Sequence, residues 1–381
     1  MKRFSALLAL ALASALAGCG GSGNGYNLLT AGDSLSDTGT YGFRFTVQGT
    51  ESAPNLVWTE LVAAAVTVAA PCPRYRVGAD GKVTANASAT QCNGYAVGGA
   101  QINLSDQTSP GGDATPMSVL QQIRDMARER NTVLARELIL IGGGGNDAAT
   151  VFGLWLQWQS ETDPAKSATL LAAWKALMTE VLGAARVNAA GTPQALSALG
   201  PEYMAALADN LVATMRTELF SNNAKRVVVA NVPDIAQTPR MKAVLSPLKQ
   251  LADQTAYVTA NTYASTLVTQ FNDRLSAQLA GESRAGIFDL RASLNAWVNQ
   301  PPATLTEVNT PACPQTGTSQ GIPTYTLSSC SAASLAAIAG GRAANWWESY
   351  LFSDDFHPTP RGHQMAADIV VREVLRDRGW R

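Results

Sequence analysis

Four short, almost wholly apolar runs constrain this chain more than any other feature. They are "LLTAGD" from Leu28, "ELILIGGGG" from Glu137, "KRVVVANVPD" from Lys225 and "GIFDL" from Gly286. Each has the length of a strand and stops at glycine, proline or an acidic turn. None alternates polar with apolar, so a strand built from them must be covered on both faces. Helical spacing fills the intervals: "APNLVWTELVAAAV", "PMSVLQQIRDMARER", residues 164–186, 201–221 and 252–281, and finally "TPRGHQMAADIVVREVLRD". In the last, Thr359 is placed to cap and Pro360 to occupy the first helical position. Strands alternating with helices predict a parallel sheet between two helical layers, with ligands at the C-terminal ends of the strands. No internal repeat and no linker after residue 25 divides the chain, so residues 26–381 read as one domain.

The N-terminus reads differently. "MKRFSALLALALASALAGC" has two basic residues, an apolar stretch and then small residues before Cys19. That is the pattern of a secretory signal peptide over residues 1–18, too short to be a spanning helix. "LAGC" also resembles the lipobox of bacterial lipoproteins, which implies lipidation of Cys19, and "GGSGNG" has the composition of a flexible tether over residues 19–25. Gly20 rather than aspartate after Cys19 leans the anchor toward the outer membrane.

Export agrees with the remaining cysteines. Cys72 and Cys92 lie 20 residues apart, Cys313 and Cys330 17 apart, and each pair encloses a turn-rich stretch. Two sequence-local disulfides are expected, although four cysteines permit three connectivities. No C-x-x-C occurs and only two histidines exist, which speaks against a metal site. With Lys2 and Arg3 removed, 26 basic residues face 29 acidic ones, a net charge of −3 without a basic run. Nucleic acid is therefore not an expected partner, no cofactor is called for, and the oligomeric state is not readable.

Two histidines also narrow the chemistry. A serine nucleophile needs a base and a group that orients the base. "SDDFHPTPRGH" puts Asp354 three residues before His357, with Asp355 as a competing orienter, while His363 opens a helix and reads as a locally bonded turn residue. Ser34, in "LLTAGDSLSDTGTY", follows a strand-like run and is either a turn serine or the nucleophile. Oxyanion donors are available at Gly98 and Gly99 in "YAVGGAQ" and at Asn146 in "IGGGGND". "GTSQG" around Ser319 matches G-x-S-x-G, but that motif marks a nucleophile only between a strand and a helix, and here its flanks are "TPACPQT" and "IPTYTLSSC", inside the expected Cys313–Cys330 loop.

Taken in order, Ser34 in "AGDSLSDTG", Gly99 in "YAVGGA", Asn146 in "GGND" and Asp354 with His357 in "DDFHPT" resemble the SGNH hydrolases, the GDSL lipases and esterases. "NVPDIAQTP" and "GIFDL" add to the likeness, which spans about residues 26–378. The resemblance implies a flavodoxin-like three-layer α/β/α sandwich with a parallel central sheet. It implies Ser34 as nucleophile, His357 as base, Asp354 as its orienter, and an oxyanion hole made by the Ser34 and Gly99 N–H groups and the Asn146 amide. Two departures stand out: Gly94 is inserted between Asn93 and Tyr95, and the extra glycines of "GGGGND" imply a more mobile loop.

With the export signal, the resemblance implies an exported enzyme that is a carboxylester hydrolase of the lipase, phospholipase or esterase type. An acetyl-esterase or acyltransferase acting on a polysaccharide or glycan is the alternative, ahead of a ligand-binding surface lipoprotein that has lost catalysis. Trp155 and Trp158, with Phe152 and Leu156, are candidates for an acyl-chain groove or lid, against the competing reading of a helix packed on the core. Trp346 and Trp347 stand equally between core and pocket.

Overall fold

The computed structural model describes residues 27–104 and 116–381; the signal segment, Cys19 and the tether lie outside them. In chain order the elements are β1 (Leu28–Ala31), α1 (Trp58–Ala65), β2 (Tyr75–Val77), β3 (Val83–Ala85), α2 (Val119–Arg130) and β4 (Leu138–Ile141). Then come α3 (Gly145–Ser160), α4 (Pro164–Leu182), α5 (Ala184–Asn188), α6 (Pro193–Thr214), β5 (Arg226–Ala230), α7 (Pro239–Lys249), α8 (Thr255–Leu279), β6 (Ala285–Phe288) and α9 (Leu290–Asn299). The last are β7 (Gly317–Ser319), β8 (Ile322–Thr324), α10 (Ala332–Ala337) and α11 (Pro360–Ile369).

The four apolar runs pair in parallel in the order β1-β4-β5-β6. Their residues alternate between two cores. Leu29, Ala31, Ile139, Ile141, Val227 and Val229 face the layer built from α2, α3, α4, α6 and α8. Leu28, Leu138, Leu140, Val228 and Ala230 face α1, α9 and α11. Each such buried Val, Leu or Ile stabilises by roughly 1.5–3 kcal/mol relative to exposure, which is why a strand apolar on both faces needs a helical layer on each. This is the three-layer sandwich with a parallel central sheet that the sequence predicts. The free side of β1 is closed by residues 93–97, whose backbone bonds to Thr30 and Gly32.

Three elements differ from expectation. The helix predicted from Pro201 begins at Pro193, where Thr192 caps it, and Pro201 lies inside. Proline takes away the donor for the Ser197 carbonyl four residues earlier, and the Tyr263 hydroxyl donates to that carbonyl instead, at 2.7 Å. The segment 164–186 is broken at Gly183 into α4 and α5. The stretch between Cys313 and Cys330, read only as turn-rich, contains the β7-β8 hairpin, whose turn residues Gln320 and Gly321 both take positive φ. Two-residue hairpins favour that geometry.

Both disulfides are the sequence-local ones, Cys72–Cys92 and Cys313–Cys330. A titration of the denatured, non-reduced domain from residue 24 is expected to find no free thiol; about two would show that one pair does not form. By the chain-entropy relation, each loop of this length contributes about 3 kcal/mol, so Cys313→Ser/Cys330→Ser should lower unfolding stability by that order.

Candidate active site

Ser34 sits three residues beyond the C-terminal end of β1, and the turn that presents it is fixed from several sides. Gly32 N–H donates to Oε1 of the fully buried Gln122 at 2.7 Å. Gly32 itself has a φ of +152°, and a Cβ there would lie 2.8 Å from the Gly142 carbonyl oxygen. Asp33 accepts from Leu35 N–H, and Ser36 N–H closes the turn onto the Asp33 carbonyl. The Ser36 hydroxyl in turn accepts from the Trp58 indole at 3.1 Å.

His357 arrives from the other end of the chain. Its loop is cinched at the base: Ser353 N–H donates to the His357 carbonyl at 2.7 Å, and Thr359 N–H to the Leu351 carbonyl at 2.9 Å. The Ser353 hydroxyl donates to the Pro358 carbonyl and accepts from Val47 N–H. Within the loop, Asp354 Oδ1 accepts from the Phe356 and His357 N–H groups at 2.8 and 2.6 Å. Asp354 Oδ2 lies 2.8 Å from His357 Nδ1, and His357 Nε2 lies 2.8 Å from Ser34 Oγ. The three groups form one unbroken line. Phe45 completes the imidazole's surroundings, with ring centroids 5.1 Å apart. Phe45 is held in turn by its neighbour Arg44, which makes a paired contact with the buried Glu60 of α1.

The electrostatics suit a base. Burial opposes charge on Asp354, but His357 and the two backbone donors outweigh it, and its pKa lies below the usual carboxylate value. Burial alone would pull His357 down. The charge and hydrogen bond of Asp354, joined by Asp33 and Asp355, more than reverse this and hold it above the ordinary histidine value.

Across Ser34 lie the expected donors. Gly99 has a φ of +80°, and among the described residues neither its N–H nor that of Ser34 has a protein acceptor. Asn146 stands in the first turn of α3 and gives one amide hydrogen to the Ala100 carbonyl at 2.9 Å, which leaves the other. The positive end of the α3 dipole adds to the field at this point. The turn that carries Gly99 is gripped on both sides by carboxylates. Asp37 accepts from Gly98 N–H at 2.8 Å while bonding Gly39 and Thr40, and Asp147 accepts from Ile102 N–H with both oxygens. Burial pushes the Asp147 carboxyl up to about 7 and raises that of Asp37.

The extra glycines have a conformational cause. Gly143 and Gly144 have φ of +147° and +99°, and a Cβ on Gly144 would lie 2.6 Å from Val232 Cγ2. Gly94, the other departure, donates to the Cys72 carbonyl, and a Cβ there would lie 2.8 Å from that oxygen.

Several sequence candidates lie elsewhere. Trp155 stacks on Tyr263 at 4.0 Å and donates to the Ser197 hydroxyl, while Trp158 stacks on Trp174. Both are buried in the main core and neither lines the cleft, so the groove reading gives way to helix packing. Trp347 is buried in a small core beside Cys313–Cys330, and Trp346 packs under Arg342. His363 does not bond only locally: its Nδ1 accepts from Trp58 N–H and joins α11 to α1. Asp355 pairs with Arg240 rather than with His357. Ser319 is exposed on β7. Among the described residues no cluster of three or more His, Cys, Asp or Glu could hold a metal.

Ser34, Asp354 and His357 open onto a cleft of about 340 Å³, walled by Phe45, Phe356, Tyr325 and Arg240. Sequence reasoning missed Phe45, Tyr325, Arg240 and Gln122, which have no local motif. Asp37 and Asp147 carried a signal, since each stands within a quoted block.

Comparison with known proteins fits this geometry. The chain matches the family "GDSL-like Lipase/Acylhydrolase" over residues 28–370. No curated protein matches it. Among solved structures, a Parabacteroides merdae protein described as a GDSL-like lipase aligns over 94% of this chain and 97% of its own at 10% identity. Its TM-score of 0.33 is too low to bear on the fold. The chain belongs to the GDSL-like lipase/acylhydrolase family and is a GDSL-type serine ester hydrolase.

Proposed function

We propose that this chain is an exported, lipid-anchored carboxylester hydrolase that works through an acyl-enzyme on Ser34. The observation that carries this reading is the continuous line Asp354–His357–Ser34, each link 2.8 Å. His357 Nε2 takes the Ser34 proton as Oγ attacks the ester carbonyl. The developing oxyanion meets the Ser34 and Gly99 N–H groups and the remaining Asn146 amide hydrogen. His357, now an imidazolium beside Asp354, gives its proton to the leaving alkoxide. Water, deprotonated by the same nitrogen, then attacks the acyl-enzyme and restores Ser34.

Export rests on the signal-like N-terminus and on the two disulfides, which suit an oxidising compartment. A lipid on Cys19 would hold the domain to the outer membrane through the glycine-rich tether. Lipids and simple acyl esters are the favoured substrates; acetyl groups on a polysaccharide, and transfer to a glycan acceptor, use the same three residues.

Hydrolysis of p-nitrophenyl esters from acetate to palmitate tests the reading. Ser34→Ala should lower kcat by at least about 10³-fold and Asn146→Ala by about 10²–10³-fold; ester turnover unaffected by Ser34→Ala would remove it. The pH profile follows from His357. Its pKa is raised, so the active neutral form is lost as pH falls through a midpoint above about 6.5. Asp354→Asn should move that midpoint down and lower kcat; a wild-type midpoint near 5 would contradict the assignment. For the anchor, Cys19→Ala should move the protein from the membrane to the soluble fraction, and retention in the membrane would count against lipidation.

A further inference from the structure

One ion pair in the cleft takes no part in the proton relay. Arg240, at the start of α7, donates from Nε to Asp355 Oδ2 at 3.2 Å, and its backbone N–H donates to the Asp355 carbonyl at 2.7 Å. Both side chains line the same cleft as Ser34. The Arg240 side chain is 44% exposed, and among the described residues its two Nη groups have no protein acceptor. The Asp355 side chain is 9% exposed, and Arg240 is its only side-chain partner among them.

A structural ion pair at the surface is worth little, and this one holds its carboxylate in a place that burial disfavours. Asp354, also buried, lies next to it, and burial raises the Asp355 carboxyl to about 6. What the arrangement offers is a donor and an acceptor side by side on a wall. The adjoining lining residues are Tyr325, Pro323 and Phe356, largely apolar.

The chemistry that fits is a hydroxyl, which gives and takes one hydrogen bond each. An anion would gain from the guanidinium but meet the carboxylates of Asp355 and Asp354 at once. A plain hydrocarbon would desolvate the two Nη groups of Arg240 without giving them an acceptor. The position also selects which half of the ester is read. Asp355 is two residues from His357 and acts on its charge, and His357 Nε2 is the atom that protonates the departing alkoxide, so the leaving alcohol is the half of the ester that a group beside His357 would meet. Gly99 and Asn146 would take the carbonyl oxygen instead.

We propose that Arg240 and Asp355 form a subsite for a leaving alcohol that carries further hydroxyls, of the glycerol or sugar class. The proposal rests on the acyl-enzyme reading above and adds the class of alcohol. The polyhydroxyl chemistry is common to acylglycerols and to acylated sugars, and the hairpin β7-β8 closes one side of the subsite in either case.

The test holds the acyl group constant and varies the alcohol: ethyl acetate, glycerol monoacetate, 6-O-acetylglucose and O-acetylated glycerol phosphate. The wild-type domain should prefer the neutral hydroxylated esters to ethyl acetate. In Arg240→Met that preference, taken as the ratio of kcat/KM values, should fall about tenfold, mainly through KM. Asp355→Asn should reduce it in the same direction. Which of glycerol and sugar shows the larger loss identifies the source. A ratio unchanged in Arg240→Met, or a loss confined to the anionic glycerol phosphate ester, would overturn the proposal. Binding of glycerol monoacetate and 6-O-acetylglucose to Ser34→Ala, with and without Arg240→Met, is read by ligand-observed NMR. It keeps the two questions apart. Absence of turnover on every ester would remove the hydrolase reading, whereas binding to Ser34→Ala that Arg240→Met does not weaken would remove the subsite.

Discussion

The hydrogen bond between Ser34 and His357 joins residues 323 positions apart, and the rest of the molecule is arranged around keeping it at 2.8 Å. Neither partner lies within a regular element. Ser34 is held by the close approach of β1 and β4 at Gly32 and Gly142 and by the buried Gln122 of α2. His357 is held by a loop pinched at its base by Ser353 and Thr359. The Cys313–Cys330 link extends that support. Cys313 N–H donates to the Ser353 carbonyl, and the Cys330 carbonyl accepts from Gln48 N–H, so the disulfide-closed insertion is stitched to the histidine loop and to the segment bearing Phe45. Cys72–Cys92 does the same for the strand-like residues 93–97, which lead into Gly98 and Gly99.

Buried carboxylates are the second organising feature. Asp33, Asp37, Asp147 and Asp354 are all nearly inaccessible, and each is engaged by backbone N–H donors. An isolated buried carboxylate is costly, and a hydrogen-bonded one fixes geometry. Asp37 and Asp147 spend this on the Gly99 turn, so the donors proposed for the oxyanion are oriented before substrate arrives, and no reorganisation would be needed as charge develops. Asp354 and Asp33 spend it on favouring the imidazolium that forms at His357.

The architecture and the principal side chains were legible because their signals are local. A strand apolar at every position states that both its faces are buried, as in "LILI" and "VVVA", and a chain with two histidines leaves little choice of base. Asp354 was readable over Asp355 by its three-residue spacing, and the structure pairs Asp355 with Arg240 from a distant helix. What was illegible depends on tertiary placement. Trp155 and Trp158 have the same spacing whether they line a groove or fill a core; their partners Tyr263 and Trp174 decide it, and those lie in other helices. Pro201 looks like a helix start until the Tyr263 hydroxyl replaces the lost donor. Phe45 and Arg240 enter the cleft by folding alone, with no motif to mark them.

The most direct test of the account is the identity of the serine that becomes covalently modified. Treatment of the mature domain with a fluorophosphonate, followed by proteolysis and mass spectrometry, should place a single adduct on the peptide that contains Ser34, with none in His357→Ala. An adduct on Ser319 or any other serine, or hydrolysis that continues with Ser34 fully modified, would contradict it.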